Sequence, residues 1–375
     1  MCYFLLLLLA AQTLLTTVRC DSSSALRDNS PECICYTVDS EADKSYFSYH
    51  RFYDFRKYAK SSNENTTAPP LVDANQRFGQ ERISDQAVLN SSNWNNDWGV
   101  QDWGKKSSAD APVAMQNSPQ NVYIGQDNTT NLTHLTLRTT RLPTFQSTSE
   151  LENQQKNLLH ATLRFRARVR GASGAVAGLF TFYDDNNESD IEILTRDPPT
   201  TYRYTNQPAT KKGDDVPSAS KSPENLPAWD EWHTHRIDWL PRMSRWYIDD
   251  KFIVQNSYGV PRKPSGLILN MWSDGGVWSG DMKVGESAEM QIQWVQVVFN
   301  TSGKRDGPGG KKGGKTKRSL QEKGCSTVCR VDGVEKEGFP EVAYVAPNSS
   351  GAVNAAMGLW AVILVVGIVS MVVAL

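Results

Sequence analysis

The stretch Ala161-Thr162-Leu163-Arg164-Phe165-Arg166-Ala167-Arg168-Val169-Arg170 alternates apolar and polar side chains without an error. Its period is two, the repeat of an extended strand. Leu163, Phe165, Ala167 and Val169 therefore face a core, and the four arginines face the other way. The same period dominates from about Asn121 to Phe299. His233, His235, Ile237 and Trp239 alternate with Thr234, Arg236 and Asp238. Arg245 to Ile248, Asp249-Asp250 and Lys251 to Val254 read as a hairpin around a two-residue turn. Leu267 to Trp272 and Gln291 to Phe299 complete the good strands, and Trp239, Trp246 and Trp294 are assigned to the core. The best helical candidate, Glu150 to His160, is weak. Many short strands joined by turn chemistry predict an all-β sandwich or barrel, in one domain. The polar segment Pro198 to Leu226 is a long loop of the kind that borders a binding face.

Composition narrows the function. The chain has 375 residues, 39% hydrophobic and 22% charged, which excludes wholesale disorder. The net charge of −1 is uneven. Residues 301–330 hold nine Lys/Arg and two Asp/Glu, a local +7 that leaves −8 for the rest. The basic charge sits in a Gly-rich spacer, so a nucleic-acid partner is not expected.

Met1 to Cys20 reads as a secretory signal peptide, though it lacks a positive charge near Met1. Asn348 to Asn354, followed by the uncharged run Met357 to Leu375, reads as a glycolipid (GPI) attachment signal, with a membrane-spanning C-terminal helix as the alternative. The expected location is the cell surface or cell wall, tethered to the plasma membrane. In an oxidising compartment Cys33, Cys35, Cys325 and Cys329 form two bridges, with three connectivities open. A Cys33–Cys35 bridge is sterically poor, so the N-terminal pair is expected to bond to the C-terminal pair. Glycosylation is expected at Asn65, Asn90, Asn128, Asn131 and Asn300. Asn348 is a further acceptor, and Asn187 is expected to stay unmodified because a glycan there would block the cleft described next. The segment boundaries are 1–20, 21–300 (the β domain), 301–324 (basic and flexible), 325–347 (Cys-containing extension) and 348–375. Lys317-Arg318 is a candidate dibasic processing site.

The chemistry concentrates in Asp184-Asp185-Asn186-Asn187-Glu188-Ser189-Asp190-Ile191-Glu192-Ile193-Leu194-Thr195. On a strand, Glu188, Asp190 and Glu192 share one face while Ile191 and Ile193 point into the core. Three adjacent acids repel one another and have no structural use in a sheet, but in a cleft the repulsion raises a pKa. Glycosidic-bond cleavage asks for such groups, one ionised and one protonated. Residues four apart on a strand have backbones about 13 Å apart, so long side chains must lean together. The alternatives are a solvent-facing acidic strand and a calcium loop. The loop fails because Ser189 stands where Gly is needed and Thr195 where Glu is needed. No metal or cofactor is expected. Trp94, Trp98 and Trp103 lie in a polar, loop-like stretch, and Trp272 and Trp278 bracket Ser273-Asp274-Gly275-Gly276. Such rings suit stacking on sugars, while core packing is the commoner role for each Trp taken singly.

At these residues the chain resembles glycoside hydrolase family 16, whose Glu-x-Asp-x-Glu signature reads here Glu188-Ser189-Asp190-Ile191-Glu192. The resemblance extends over Asn121 to Phe299 and includes Gly178-Leu179-Phe180, Trp232 to Pro241, Trp246 to Lys251 and Leu269 to Trp272. It implies a concanavalin A-like β-jelly-roll sandwich of two curved antiparallel sheets. It further implies Glu188 as nucleophile, Glu192 as acid/base, Asp190 as the auxiliary carboxylate, and Asn206, Trp272, Trp278 and Trp103 as sugar contacts. Members often carry an aromatic two residues before the nucleophile, where Asn186 stands here. The secreted, tethered plan resembles fungal wall-modifying members, which act on β-1,3- or mixed β-1,3/1,4-glucans or transfer chitin chains onto glucan. A monomeric enzyme acting on polysaccharide is the expectation. The alternatives are a sugar-binding jelly roll without turnover and a purely structural wall protein.

Overall fold

The computed structural model describes residues 26–27, 32–41, 43–58, 66–75, 77, 86–305 and 324–346. The expected leader, residues 306–323 of the basic segment, the terminal attachment signal and Asn65 lie outside the described residues.

Two antiparallel sheets pack face to face. The first runs, in spatial order, Trp98–Val100, Gln146–Asn153, Gly266–Trp272, Val176–Asp184, Asn187–Leu194, Arg203–Asn206, Ser220–Lys221. The second is built on the 15-residue strand Ser287–Thr301. That strand pairs along one edge with Leu158–Gly171, which leads on to His233–Leu240, Met243–Ile248 and Lys251–Asn256. Its other edge is shared by Thr133–Arg141 and Tyr49–Asp54. Strand Gln146–Asn153 begins beside Thr133–Arg141 and ends in the first sheet, so it ties the two layers together. The architecture is a curved antiparallel jelly-roll sandwich: the two-residue period predicts a sandwich or barrel, and the family resemblance implies the jelly roll.

The core lies between the sheets. Leu163, Phe165, Ala167 and Val169 meet Leu151, Leu179, Ile191, Leu269 and Met271 in one buried cluster, with Trp239 and Trp246 among them. The hairpin turn is at Asp249-Asp250. Both residues have positive φ, 48° and 61°, as a type I′ turn requires.

One expectation is corrected and the placement of three tryptophans is made definite. Glu150 to His160 is not a helix: Gln146–Asn153 and Leu158–Gly171 are strands, because pairing on both edges overrides a weak local helical pattern. Trp94 and Trp98 take the core-packing role, the commoner one for a single Trp, and not the cleft role. They are buried and stacked, with ring centroids 6.0 Å apart, where the short helix Ser92–Asp97 meets the first sheet. Trp294 is buried, but on the outer face of the second sheet, packed on Phe52 rather than between the layers.

That outer face is covered. Cys35–Ser40, Asp43–Phe47, Thr327–Arg330 and Glu341–Val345 form a small third sheet in which Cys35–Ser40 and Thr327–Arg330 run parallel. Tyr36, Val38, Phe47, Cys329 and Val331 pack with Val298 of the second sheet. The disulfides are Cys33–Cys329 and Cys35–Cys325, so the N-terminal pair bonds to the C-terminal pair as expected. The arginines that alternate with the core residues are therefore not all in water. Arg164 is buried and bonded to Asp332 of the extension, and Arg168 is buried against Asp127 at 2.7 Å. Two like-signed charges survive there because each has a carboxylate partner.

Candidate active site

Strand Asn187–Leu194 is held between Val176–Asp184 and Arg203–Asn206. Ser189, Ile191 and Ile193 are buried toward the second sheet, and Ser189 Oγ donates to Ser244 Oγ at 3.3 Å. Strict alternation then turns Glu188, Asp190 and Glu192 outward together. All three line a trough of about 220 Å³ on the open face of the first sheet.

Burial is the largest influence on each acid. It pushes Glu188 up to about 7, with Glu192 and Asp185 adding repulsion and a hydrogen bond from Asp190 opposing. Glu192 is also pushed up to about 7 by burial, against the Trp278 hydrogen bond and the Arg203 charge. Asp190, 2% exposed, is raised well above the usual carboxylate range by burial and by both glutamates. Such a trio holds fewer than three negative charges near neutrality, so proton donor and carboxylate coexist on one strand.

Of the expected sugar contacts, Trp103, Trp272 and Trp278 are brought to this trough and Asn206 is not. Trp103 and Trp272 line it, both with part of the indole open to solvent. Trp278 Nε1 donates to Glu192 Oε1 at 3.2 Å. Asn206 lies opposite Ser189 and so shares its inward face, where Nδ2 donates to the Tyr258 carbonyl at 2.8 Å. Its neighbours take the trough side: Thr205 lies opposite Asp190, and Gln207 Nε2 reaches Asp190 Oδ2 at 3.4 Å. The expectation missed by one residue, which on a strand means the opposite face.

Other trough residues were not singled out from the sequence. Glu150 lies opposite Asn270 on the neighbouring strand and accepts a hydrogen bond from Trp103 Nε1 at 3.0 Å. Burial pushes its carboxyl up to about 7, with the Trp103 bond opposing. Gln146 to Asn153 holds a single apolar side chain, Leu151, so no two-residue alternation marked it as a strand, and a helical reading of Glu150 to His160 hid Glu150 further. Asn186 stands in the turn before the signature, and the aromatic surface beside the acids comes from the adjacent strand instead. Phe182 lies opposite Glu188 and Phe180 opposite Asp190, with their rings edge to face.

The Trp278 loop needs its glycines. Gly275 has φ +69°, and a Cβ there would sit 2.6 Å from Val113. At Gly276 a Cβ would sit 2.3 Å from the Asp110 carbonyl oxygen. The loop packs directly on segment 110–113, which fixes where Trp278 stands. Asn187 donates to Asp184 at 2.8 Å and accepts from the Arg262 amide at 3.0 Å, so its amide is engaged at the trough's end. Asn90, Asn128 and Asn131 are exposed. Asn300 accepts from the Ser48 amide and donates to the Tyr46 carbonyl.

A roomier cavity, about 390 Å³, lies on the far side between the second sheet and residues 331–338. Its arginines, Arg164 and Arg236, are ion-paired to Asp332 and Asp238. Its carboxylates, Asp39, Asp250, Asp332 and Glu337, come from separate segments rather than from one strand face. No group of His, Cys, Asp and Glu among the described residues is arranged to hold a metal.

Comparison with known proteins shows the class of domain that this fold and trough belong to. Residues 111–296 match the family model "Glycosyl hydrolases family 16", so the chain carries a domain of that family. It is 27% identical over 160 residues to a beta-glucanase of Fibrobacter succinogenes, covering 38% of this chain and 45% of that one. It is 28% identical over 118 residues to the Crh-like protein CRH12 of Candida albicans, covering 29% and 23%. The chain spans about half the length of the first curated relatives it matches. The solved Bacillus licheniformis beta-glucanase superposes with a TM-score of 0.45 at 20% identity, over 56% of this chain and 96% of that one.

Proposed function

We propose that this protein is an endo-acting β-glucan hydrolase that works with retention of configuration. The observation that carries the reading is three raised carboxyls in alternation on one strand, facing a trough with Trp103 and Trp272. Glu188, as carboxylate, attacks the anomeric carbon while Glu192, as carboxylic acid, protonates the departing oxygen. A glycosyl ester on Glu188 results, and Glu192 then takes a proton from the incoming hydroxyl as its oxygen bonds the anomeric carbon and the bond to Glu188 breaks, which frees the Glu188 carboxylate. Asp190 hydrogen-bonds Glu188 and shares its proton load. The indoles stack on sugar faces, and Glu150, Asn270 and Gln207 supply hydroxyl partners.

The ester accepts either water or another sugar, so transglycosylation in wall remodelling is the companion reading, and the similarity to a Crh-like protein favours testing it. The two disulfides and the exposed acceptor asparagines support action outside the cell, with a lipid tether at the C-terminal signal.

Product analysis with laminarin, barley glucan and chitin oligomers separates substrate and outcome together. Shortened oligomers of retained anomeric form indicate hydrolysis, and lengthened or hybrid chains indicate transfer. Glu188→Gln should abolish turnover while leaving the circular dichroism spectrum unchanged. Undiminished turnover in that variant removes Glu188 from the mechanism, and binding without any product from the unmodified protein favours a lectin-like role.

A further inference from the structure

The end of the trough at Glu192 carries a chain of contacts that the glycosidase reading does not use. Arg203 stands directly across from Glu192 on the next strand. Its Nη2 donates to Asp197 Oδ2 at 2.6 Å, and its guanidinium lies over the Trp278 ring, 4.9 Å from the centroid. Trp278, 41% exposed, donates its ring N–H to Glu192. Asp197 thus fixes a flat cation, the cation fixes a flat ring, and the ring aims one donor at one carboxyl oxygen.

We propose that Arg203, anchored by Asp197, is a positioning residue that holds the Trp278 indole in hydrogen-bonding register with Glu192 and so tunes proton transfer at that carboxyl. The indole–carboxylate link stands by itself; the proton-transfer consequence rests on the glycosidase reading. A guanidinium suits the task because it is planar, permanently charged and stacks on aromatic faces, none of which an ammonium reproduces in full. An N–H donated to Glu192 favours its ionised form, as does the nearby positive charge. The charged groups that share the trough with Glu192 are Glu188 and Asp190 from its own strand, Glu150 from Gln146–Asn153, Asp274 from the Trp278 loop and Lys105 from Gly104–Lys105, and Arg203 stands across from it on the next strand. Asp197, with Arg196 beside it at 4.0 Å, lies behind Arg203, which leaves Arg203 as the cation in register with Glu192.

The test uses the full chain and compares Arg203→Met, Arg203→Lys and Asp197→Asn with the unmodified protein. The first readout is the Trp278 indole N–H resonance, assigned with Trp278→Phe and followed against pH with the side-chain carboxyl carbon of Glu192. In the unmodified protein the indole proton should shift as Glu192 titrates. In Arg203→Met that shift should vanish and the Glu192 midpoint should rise. Arg203→Lys should restore the midpoint better than the indole shift, and Asp197→Asn, which leaves the core untouched, should change both in the same direction but less. The second readout is the pH profile of kcat and KM on a β-glucan oligomer. In Arg203→Met the basic limb should move up with the Glu192 midpoint and kcat should fall about tenfold, a minor part of what general acid–base catalysis supplies, with KM little changed. An indole resonance and Glu192 midpoint unchanged in both folded Arg203→Met and Asp197→Asn overturn the proposal. Absence of turnover in the unmodified protein defeats the glycosidase reading alone, because the resonance test is still read.

Discussion

Single carboxyls have opposite effects on chemistry and on stability here. Glu188 and Glu192 are both pushed up to about 7 by burial, and Asp190 is raised well above the usual carboxylate range by burial and by both glutamates. The folded trough therefore binds more protons than the unfolded chain, whose glutamates titrate near 4.3. When a folded pKa is raised, the associated stability is fully present below the unfolded pKa and is lost as pH rises through the folded one. Between about pH 4.3 and pH 7 the acid trio should thus make the protein progressively less stable. Glu188→Gln removes one such group. Its melting temperature should exceed that of the unmodified protein at pH 8 and match it at pH 4, by roughly 2–4 °C for each kcal/mol gained. A gain of equal size at both pH values would show that the carboxyl's ionisation is not its source. The kcat/KM profile of the unmodified protein should be bell-shaped with both limbs near neutrality, since one acid must be charged while another is not.

Among the elements, Leu158–Gly171 bears the most. Phe165 is fully buried at its middle, with His235 on one flank and Val295 on the other. Phe165→Ala should cost about 3–5 kcal/mol, read by denaturant unfolding, whereas Arg170→Ala at the exposed end should cost within about 0.5 kcal/mol. This strand and the signature strand were legible in the sequence because one face of each is apolar and the other charged or polar, which prints the period directly. The print does not tell a solvated polar face from a covered one. Arg164 and Arg168 read as solvent-facing, yet the extension and the 127–130 turn cover them, and that cover comes from residues far away in the chain. Glu150 was obscured for a local reason, since Glu, Leu and Gln suit a helix equally well. Asn206 was misplaced by phase: Thr205, Asn206 and Gln207 are all polar, so nothing in the residue types marks which one faces the trough.

At the scale of the whole molecule, the trough and the third sheet occupy opposite sides of the sandwich, so the two can be perturbed separately. Replacing Cys33 and Cys329 together by Ser should lower stability by about 2–5 kcal/mol, read by thermal unfolding, while leaving kcat at low temperature near that of the unmodified protein. A proportionate loss of kcat in a protein that remains folded would show that the third sheet reaches the catalytic face. The bridges span separations of 296 and 290 residues, so almost the entire body is a loop closed by covalent bonds at one spot. Tension applied between Cys33 and Cys329 runs through sulfur and never loads the hydrogen-bonded ladders between them. A single protease nick anywhere from Tyr36 to Gly324 should likewise leave two pieces that migrate as one until a reductant is added. The sandwich is in effect shackled at its back, able to be dragged or cut once without coming apart.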